Sequence, residues 1–338
     1  MEYRILGRTN LKVSAIGVGT WQLSGPLVLD GKDDGFPDVG HDEAIHLIHA
    51  CEDLGINLID SAEIYGAGEG ERRVGKAIRG RREKWILSTK FGLRKGDQGN
   101  RIVDSSPQTI QKSLEDSLKR LQTDYVDIYL YHVPPSGDLI DEGREVLESL
   151  KKQGKLRFYG ISTNDETVLK QLSDHDSTDV VMFSQSLVNY PSEILNVVRK
   201  HTLGSLIRGS LQGGLLSGKY FHSSPMLNKE DIRYSWISTL RTERYAVLEK
   251  YVPKNSSMVA LALRYLLDFD TTHSIVLGGK TLSDYQKAAQ AFELSPLDPE
   301  IRIALETLGR KLQNFYWRSQ FKQKAITKLK NSFCRFIP

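Results

Sequence analysis

Two cysteines, Cys51 and Cys334, in 338 residues are too few for a disulfide framework or a cysteine-rich zinc site. No HExxH pattern is present, which removes the zinc-protease type of metal site, and no metal is expected. No apolar run is long enough to span a bilayer, and the start, MEYRILGRTN, lacks the apolar segment of a signal peptide. The expectation is a cytoplasmic chain in a reducing compartment. Internal repeats, low-complexity segments and Pro/Ser-rich linkers are also missing, so nothing divides the chain into separate bodies.

What is present is a globular composition: 39% hydrophobic and 26% charged residues, in a chain long enough to bury a substantial core. The net charge of +4 hides an asymmetry, because eight basic and no acidic residues follow from Arg310 onward, leaving −4 on the rest. A mildly acidic body with a basic tail is not a surface built for nucleic acid.

Short β-branched runs alternate with segments of helical period. Strands are predicted at 15–20, 56–60, 85–90, 126–132, 156–162, 181–186, 204–209 and 274–278. Helices are predicted at 42–54, 70–79, 106–121, 141–153, 165–173, 191–201, 256–268 and 281–292. Nearly continuous apolar strands separated by helices indicate a parallel sheet covered on both faces. Eight strand–helix units fit an α/β (β/α)8 barrel over residues 1–310, with a hairpin at 1–13; a doubly wound open sheet has the same periodicity. Residues 311–338 form a separate basic tail. The stretches 22–41, 92–104 and 212–235 exceed ordinary loop length and are expected to build a substrate pocket.

The predicted strand ends carry Asp60, Lys90, His132, Ser162, Gln185 and Arg208. Singly, each has a structural reading as a core hydrogen-bonding group or a strand-end charge. In a barrel all six open onto the face where active sites of this architecture lie. The stretch LIDSAEIYGAGEGE adds Tyr65 in a glycine-rich turn after the second strand. A phenol with an ordinary pKa of about 10 becomes a useful acid if a lysine ammonium lowers that value. Asp60 would hold Lys90 charged, and His132 would orient a carbonyl oxygen. Such a set protonates an oxygen without nucleophile or metal.

With these residues in hand, the chain resembles the aldo-keto reductase superfamily from about residue 3 to 293. The motifs are GTW (19–21), DSAEIYG (60–66), STKFG (88–92), DIYLYH (127–132), YGIS (159–162), FSQ (183–185), GLLSGKY (214–220) and VLGGKT (276–281). The resemblance implies a (β/α)8 barrel binding NADP(H) across its C-terminal face, with Asp60, Tyr65, Lys90 and His132 as the catalytic four and Tyr65 the proton donor. GAGEGE then serves the acid and not phosphates, since Glu71 replaces the last glycine of a dinucleotide fingerprint.

Further roles follow from the same resemblance. Ser162 and Gln185 match contacts to the nicotinamide carboxamide. Thr163 stands where the family has Asn, with Asn164 one place later. Arg208 occupies the commonly aromatic position beneath the ring. Gly209, Ser210, Leu211, Gln212, Gly214 and Leu216 form the phosphate loop, where Leu211, Gln212 and Gly214 would offer backbone N–H groups. Lys280 and Thr281 match the grip on a 2′-phosphate and favour NADP(H) over NAD(H). Asp284 stands where Arg or Gln is common, and Trp21 lines the substrate pocket.

A calcium loop starting with DGKDDGFPD at 30–38 would have Lys32 at its third position and His41 at its twelfth, where ligands are required, so an acidic solvated loop is expected. Two functions compete: a reductase of an aldehyde or ketone, and a cofactor-binding regulatory subunit of the potassium-channel β type. The tail repeats Phe321, Ala325, Leu329 and Phe333 on one helical face among lysines. It reads as a barrel cover, a pocket wall carrying Phe315, Tyr316 and Trp317, or a membrane contact, with cover or wall favoured.

Overall fold

The computed structural model describes residues 1–223, 227, 231–238 and 240–314. Eight parallel strands close into a barrel: β1 (Ile16–Gly19), β2 (Leu58–Asp60), β3 (Ile86–Phe91), β4 (Val126–Tyr131), β5 (Leu156–Ser162), β6 (Val180–Ser184), β7 (Gly204–Arg208) and β8 (Ser274–Leu277). Each pairs with its neighbours in chain order, and β8 pairs with β1. The outer ring contains α1 (His41–Asp53), α2 (Glu69–Ile78), α3 (Pro107–Leu121), α4 (Ile140–Lys152), α5 (Glu166–Asp174), α6 (Ser192–His201), α7 (Met258–Leu267) and α8 (Leu282–Ala289). The expected barrel is thus observed, and the alternative of an open doubly wound sheet is excluded.

Strand alternation sorts the side chains into two layers. On β4, Ile128 and Leu130 join a small inner cluster with Leu58, Val180, Met182, Leu206 and Val276. Tyr129 and Tyr131 point the other way, into the larger cluster shared with the helices. The N-terminal hairpin pairs Tyr3–Ile5 with Lys12–Ser14, and its Leu6, Leu11 and Val13 belong to the inner cluster. Apolar groups therefore fill the barrel from its N-terminal end. On β2 and β3 the same period carries Leu58 to Asp60 and Ser88 to Lys90, so the inward positions turn polar at the C-terminal end.

The segments expected as long loops are partly ordered. Val28–Leu29 pairs with Lys32–Asp33, and Leu93–Lys95 with Arg101–Val103, as short antiparallel ribbons. Arg101 ties the ribbons together through its backbone N–H to Asp30 at 3.0 Å and its guanidinium to Asp34. The acidic loop is thus held by a neighbouring arginine. Residues 299–314 are helical straight through the boundary expected at 310, with Leu312 buried. The Phe321, Ala325, Leu329 and Phe333 stripe, with Phe315, Tyr316 and Trp317, lies outside the described residues. Among the described residues no helix is long and apolar enough to cross a membrane.

Candidate active site

The last inward residue of β2, Asp60, lies in register with Ser88 on β3. Lys90 stands two residues beyond Ser88, on the same inward row. Its ammonium donates to Asp60 Oδ2 at 2.5 Å, to the Ser61 carbonyl at 2.8 Å and to the Tyr65 hydroxyl at 3.4 Å. Ser88 Oγ donates to the other carboxylate oxygen at 2.9 Å. The Tyr65 turn passes through three consecutive left-handed residues, Gly66, Ala67 and Gly68. At Gly66 an added Cβ would lie 2.0 Å from the Ser24 carbonyl, so only glycine permits this close approach. Just beyond, fully buried Glu71 anchors the turn by pairing with Arg120 at 2.6 Å and accepting from Thr89 at 2.6 Å.

Proton states follow from burial and charge. Burial works to lower Lys90, but Asp60 and Tyr65 outweigh it and hold the ammonium above the usual lysine value. Burial raises the Asp60 carboxyl against the pull of Lys90, Ser88 and Arg208. For Tyr65 the sequence expectation is corrected: burial, with help from Asp60, carries the phenol above its ordinary value, and Lys90 and Arg208 offset only part of that. The phenol is therefore neutral and holds its proton. Lys90 and Arg208 act on the phenolate once that proton leaves. His132 is pushed down to about 3 by burial, Lys90 and Arg208, so its imidazole is neutral near pH 7. Its ring meets Tyr65 edge-on at 5.7 Å.

Trp21 stacks on Tyr65 at 6.2 Å, and Phe36 meets Trp21 edge-on at 5.1 Å. The indole N–H donates to the Asp34 carbonyl at 3.2 Å, so Trp21 presents a ring face and not a donor. Arg73 fixes the base of this first loop through the Leu23 carbonyl at 2.7 Å and Asp38 at 2.9 Å.

Opposite this reacting corner, Gln185 is fully buried, and among the described residues neither its amide oxygen nor its amide nitrogen is hydrogen-bonded. A buried amide lacking both partners is costly in isolation and complements a ligand group that carries a donor and an acceptor, as a nicotinamide carboxamide does. The residues present thus fit a nicotinamide. Ser162 ends the adjacent strand β5. Arg208, at the end of β7, makes no side-chain hydrogen bond among the described residues, and its charge acts on Asp60, Tyr65 and His132. Thr163 accepts from the Asp165 N–H at 3.0 Å, and Asn164 accepts from the Ser184 N–H at 2.8 Å; both brace the loops.

After β7 the chain runs through Gly209, Ser210 and Leu211 into a tight turn over Gln212–Ser217, which includes Gly214 and buried Leu216. The Gln212 and Gly214 N–H groups expected to meet a pyrophosphate already donate to Gly209 at 2.9 Å and Leu211 at 3.0 Å. Arg233 reaches this turn at the Gly213 carbonyl, 3.1 Å away, while held by Asp231. Lys280 sits 4.7 Å over the Phe36 ring, linking this end to the Trp21–Tyr65 stack. Thr281 and Asp284 bind each other at the start of α8.

Sequence reasoning missed Ser88, Glu71 with Arg120, and Arg233. Ser88 shares the inward row of Lys90 and could have been found by period. Glu71 and Arg120 are far apart in sequence, and Arg233 lies in an irregular segment; neither carries a local signal.

A sequence model of the aldo/keto reductase family matches residues 15–307. An uncharacterised oxidoreductase of Bacillus subtilis is 30% identical over 310 residues, 91% of this chain and 96% of that protein. An NADH-specific methylglyoxal reductase of Escherichia coli is 32% identical over 228 residues, 63% of this chain and 68% of that protein. Among solved structures, the holo form of an aldo-keto reductase from Bacillus halodurans superposes with a TM-score of 0.77 at 30% identity, covering 91% of this chain and 96% of that one.

Proposed function

This chain belongs to the aldo/keto reductase family of oxidoreductases, and we propose that it reduces an aldehyde or ketone to the alcohol, with Tyr65 as the proton donor. The observation that carries the reading is the hydrogen-bonded row Asp60–Lys90–Tyr65 at the C-terminal end of the barrel, with His132 beside it. A nicotinamide dinucleotide, when bound, supplies the hydride. Gln185 and Ser162 would hold its carboxamide, Arg208 would lie under the ring, and the 209–216 turn with Arg233 and Lys280 would face its phosphates.

The chain's own residues then divide the work. The Tyr65 hydroxyl donates to the carbonyl oxygen, and neutral His132 orients that oxygen without competing for the proton. As the phenol gives up its proton, the Lys90 ammonium at 3.4 Å and the Arg208 guanidinium stabilise the phenolate left behind. That stabilisation grows only as charge develops, which is the condition for acceleration. Asp60 keeps Lys90 charged and aimed. Trp21 and Phe36 supply an aromatic wall that shields the reacting oxygen.

A regulatory-subunit role would leave Asp60, Tyr65, Lys90 and His132 without a task. The test is oxidation of NADH and NADPH against a panel of aldehydes and ketones that includes methylglyoxal, the compound in the Escherichia coli relative's name. Turnover of at least one carbonyl is expected. Dinucleotide binding with no turnover across the panel would favour the regulatory role.

A further inference from the structure

We propose that Asp284 makes this chain select NAD(H) over NADP(H), by filling the anion position at the start of α8 and offering its carboxylate to a ribose hydroxyl. The inference rests on the reading of the pocket as a nicotinamide dinucleotide site, and it reverses the preference expected from Lys280 and Thr281.

One oxygen of Asp284 accepts three hydrogen bonds: from the Lys280 N–H at 2.9 Å, the Thr281 N–H at 3.0 Å and the Thr281 hydroxyl at 3.1 Å. The Thr281 hydroxyl in turn accepts from the Asp284 N–H, completing a reciprocal cap on the helix. These are the donors a 2′-phosphate would need, gathered where the helix dipole favours negative charge. Here a covalently attached carboxylate already holds them. A phosphate dianion arriving there would meet a like charge and would have to displace a cap.

The nearby cations do not reverse this. Arg233 is bound to Asp231 through two nitrogens at 2.9 and 2.6 Å, so most of its charge is locally balanced. Lys280 lies on the Phe36 ring, and burial together with Arg233 holds its ammonium below the usual lysine value. By contrast, the second carboxylate oxygen of Asp284 makes no hydrogen bond among the described residues. A ribose hydroxyl is a donor and suits it. The chemistry is that by which an acidic residue selects the unphosphorylated ribose in dinucleotide folds of other architecture.

The experiment is direct titration of NADH and of NADPH, followed by nucleotide fluorescence without carbonyl substrate, into wild type and Asp284→Asn. Asn keeps an oxygen that can cap Thr281 and removes the charge. Wild type should bind NADH at least about tenfold more tightly than NADPH, and Asp284→Asn should move that ratio toward NADPH by roughly 10–100-fold, the range for a hydrogen bond to a charged group. Equal or tighter NADPH binding by wild type would overturn the proposal even if the variant failed to fold. An unmoved ratio in a folded variant would reduce Asp284 to a helix cap and would also overturn it. If neither dinucleotide bound, the reading of the pocket itself would fall, an outcome distinct from binding in the wrong ratio.

Discussion

At the proposed reacting wall Lys90 makes three hydrogen bonds and both oxygens of Asp60 are engaged, whereas across the barrel mouth Gln185 buries an amide with no bond at either atom among the described residues. The guanidinium of Arg208 beside it likewise makes no hydrogen bond among the described residues. The difference separates two kinds of polar burial. On the proposed reading, groups that must be aimed before substrate arrives are satisfied by the protein, while groups that would recognise a ligand are left for that ligand to satisfy. The first kind should be costly to remove for both fold and turnover, and the second costly for binding alone.

Lys90→Met tests the first half most severely. It strands the Asp60 carboxylate, and breaking a buried pair from one side costs about 3–5 kcal/mol. Turnover should fall by about 10²–10⁴-fold as the acid loses its stabilising cation. Urea unfolding of Lys90→Met, Asp60→Asn and the double variant provides the check. The double variant should recover part of the stability and none of the activity, and simply additive losses would contradict a coupled pair.

Gln185→Leu tests the other half. Dinucleotide affinity should drop, while stability stays level or rises by up to about 1–3 kcal/mol, since an unsatisfied buried amide is removed. A loss of stability comparable to that of Lys90→Met would show that both walls are built alike.

That contrast was only partly legible beforehand. A parallel barrel brings all strand ends to one face, so Asp60, Lys90, His132 and Arg208 could be grouped from strand assignments alone. Three-dimensional balance was not available. The direction of the Tyr65 shift depends on burial outweighing Lys90 and Arg208, and no spacing encodes that. Other signals were present but read differently. Asp30-Gly31 between short runs is a two-residue hairpin turn, and both residues adopt left-handed backbone. Thr281 and Asp284 have the spacing of a helix cap, yet invited a reading as ligand contacts.

Acidity sharpens the picture further. His132 has a folded value of about 3 against an ordinary 6.5, so folding favours its neutral form. Its contribution is fully present above 6.5 and is lost as pH falls toward 3. His132→Gln should therefore flatten the acid limb of a stability–pH curve, and an unchanged limb would mean the ring is freely protonated. The smallest effect is expected at Glu63, which lies near the Tyr65 turn and accepts from the Gly92 N–H at 2.8 Å. Burial and then Glu71 raise it to about 7 from 4.5. Its favourable contribution exists below 4.5 and disappears as pH rises through 7. Glu63→Gln should accordingly stabilise the protein above pH 7 and change little near pH 4. Equal effects at both ends would remove the linkage.

The central claim is that Tyr65 gives its proton to a carbonyl oxygen and does not hold the cofactor. Dinucleotide affinity and single-turnover carbonyl reduction, measured side by side in wild type and Tyr65→Phe, test it most directly. Reduction should fall by about 10²–10⁴-fold with the dinucleotide dissociation constant nearly unchanged. Retention of more than half the wild-type rate would contradict the claim, as would a loss explained entirely by weakened dinucleotide binding.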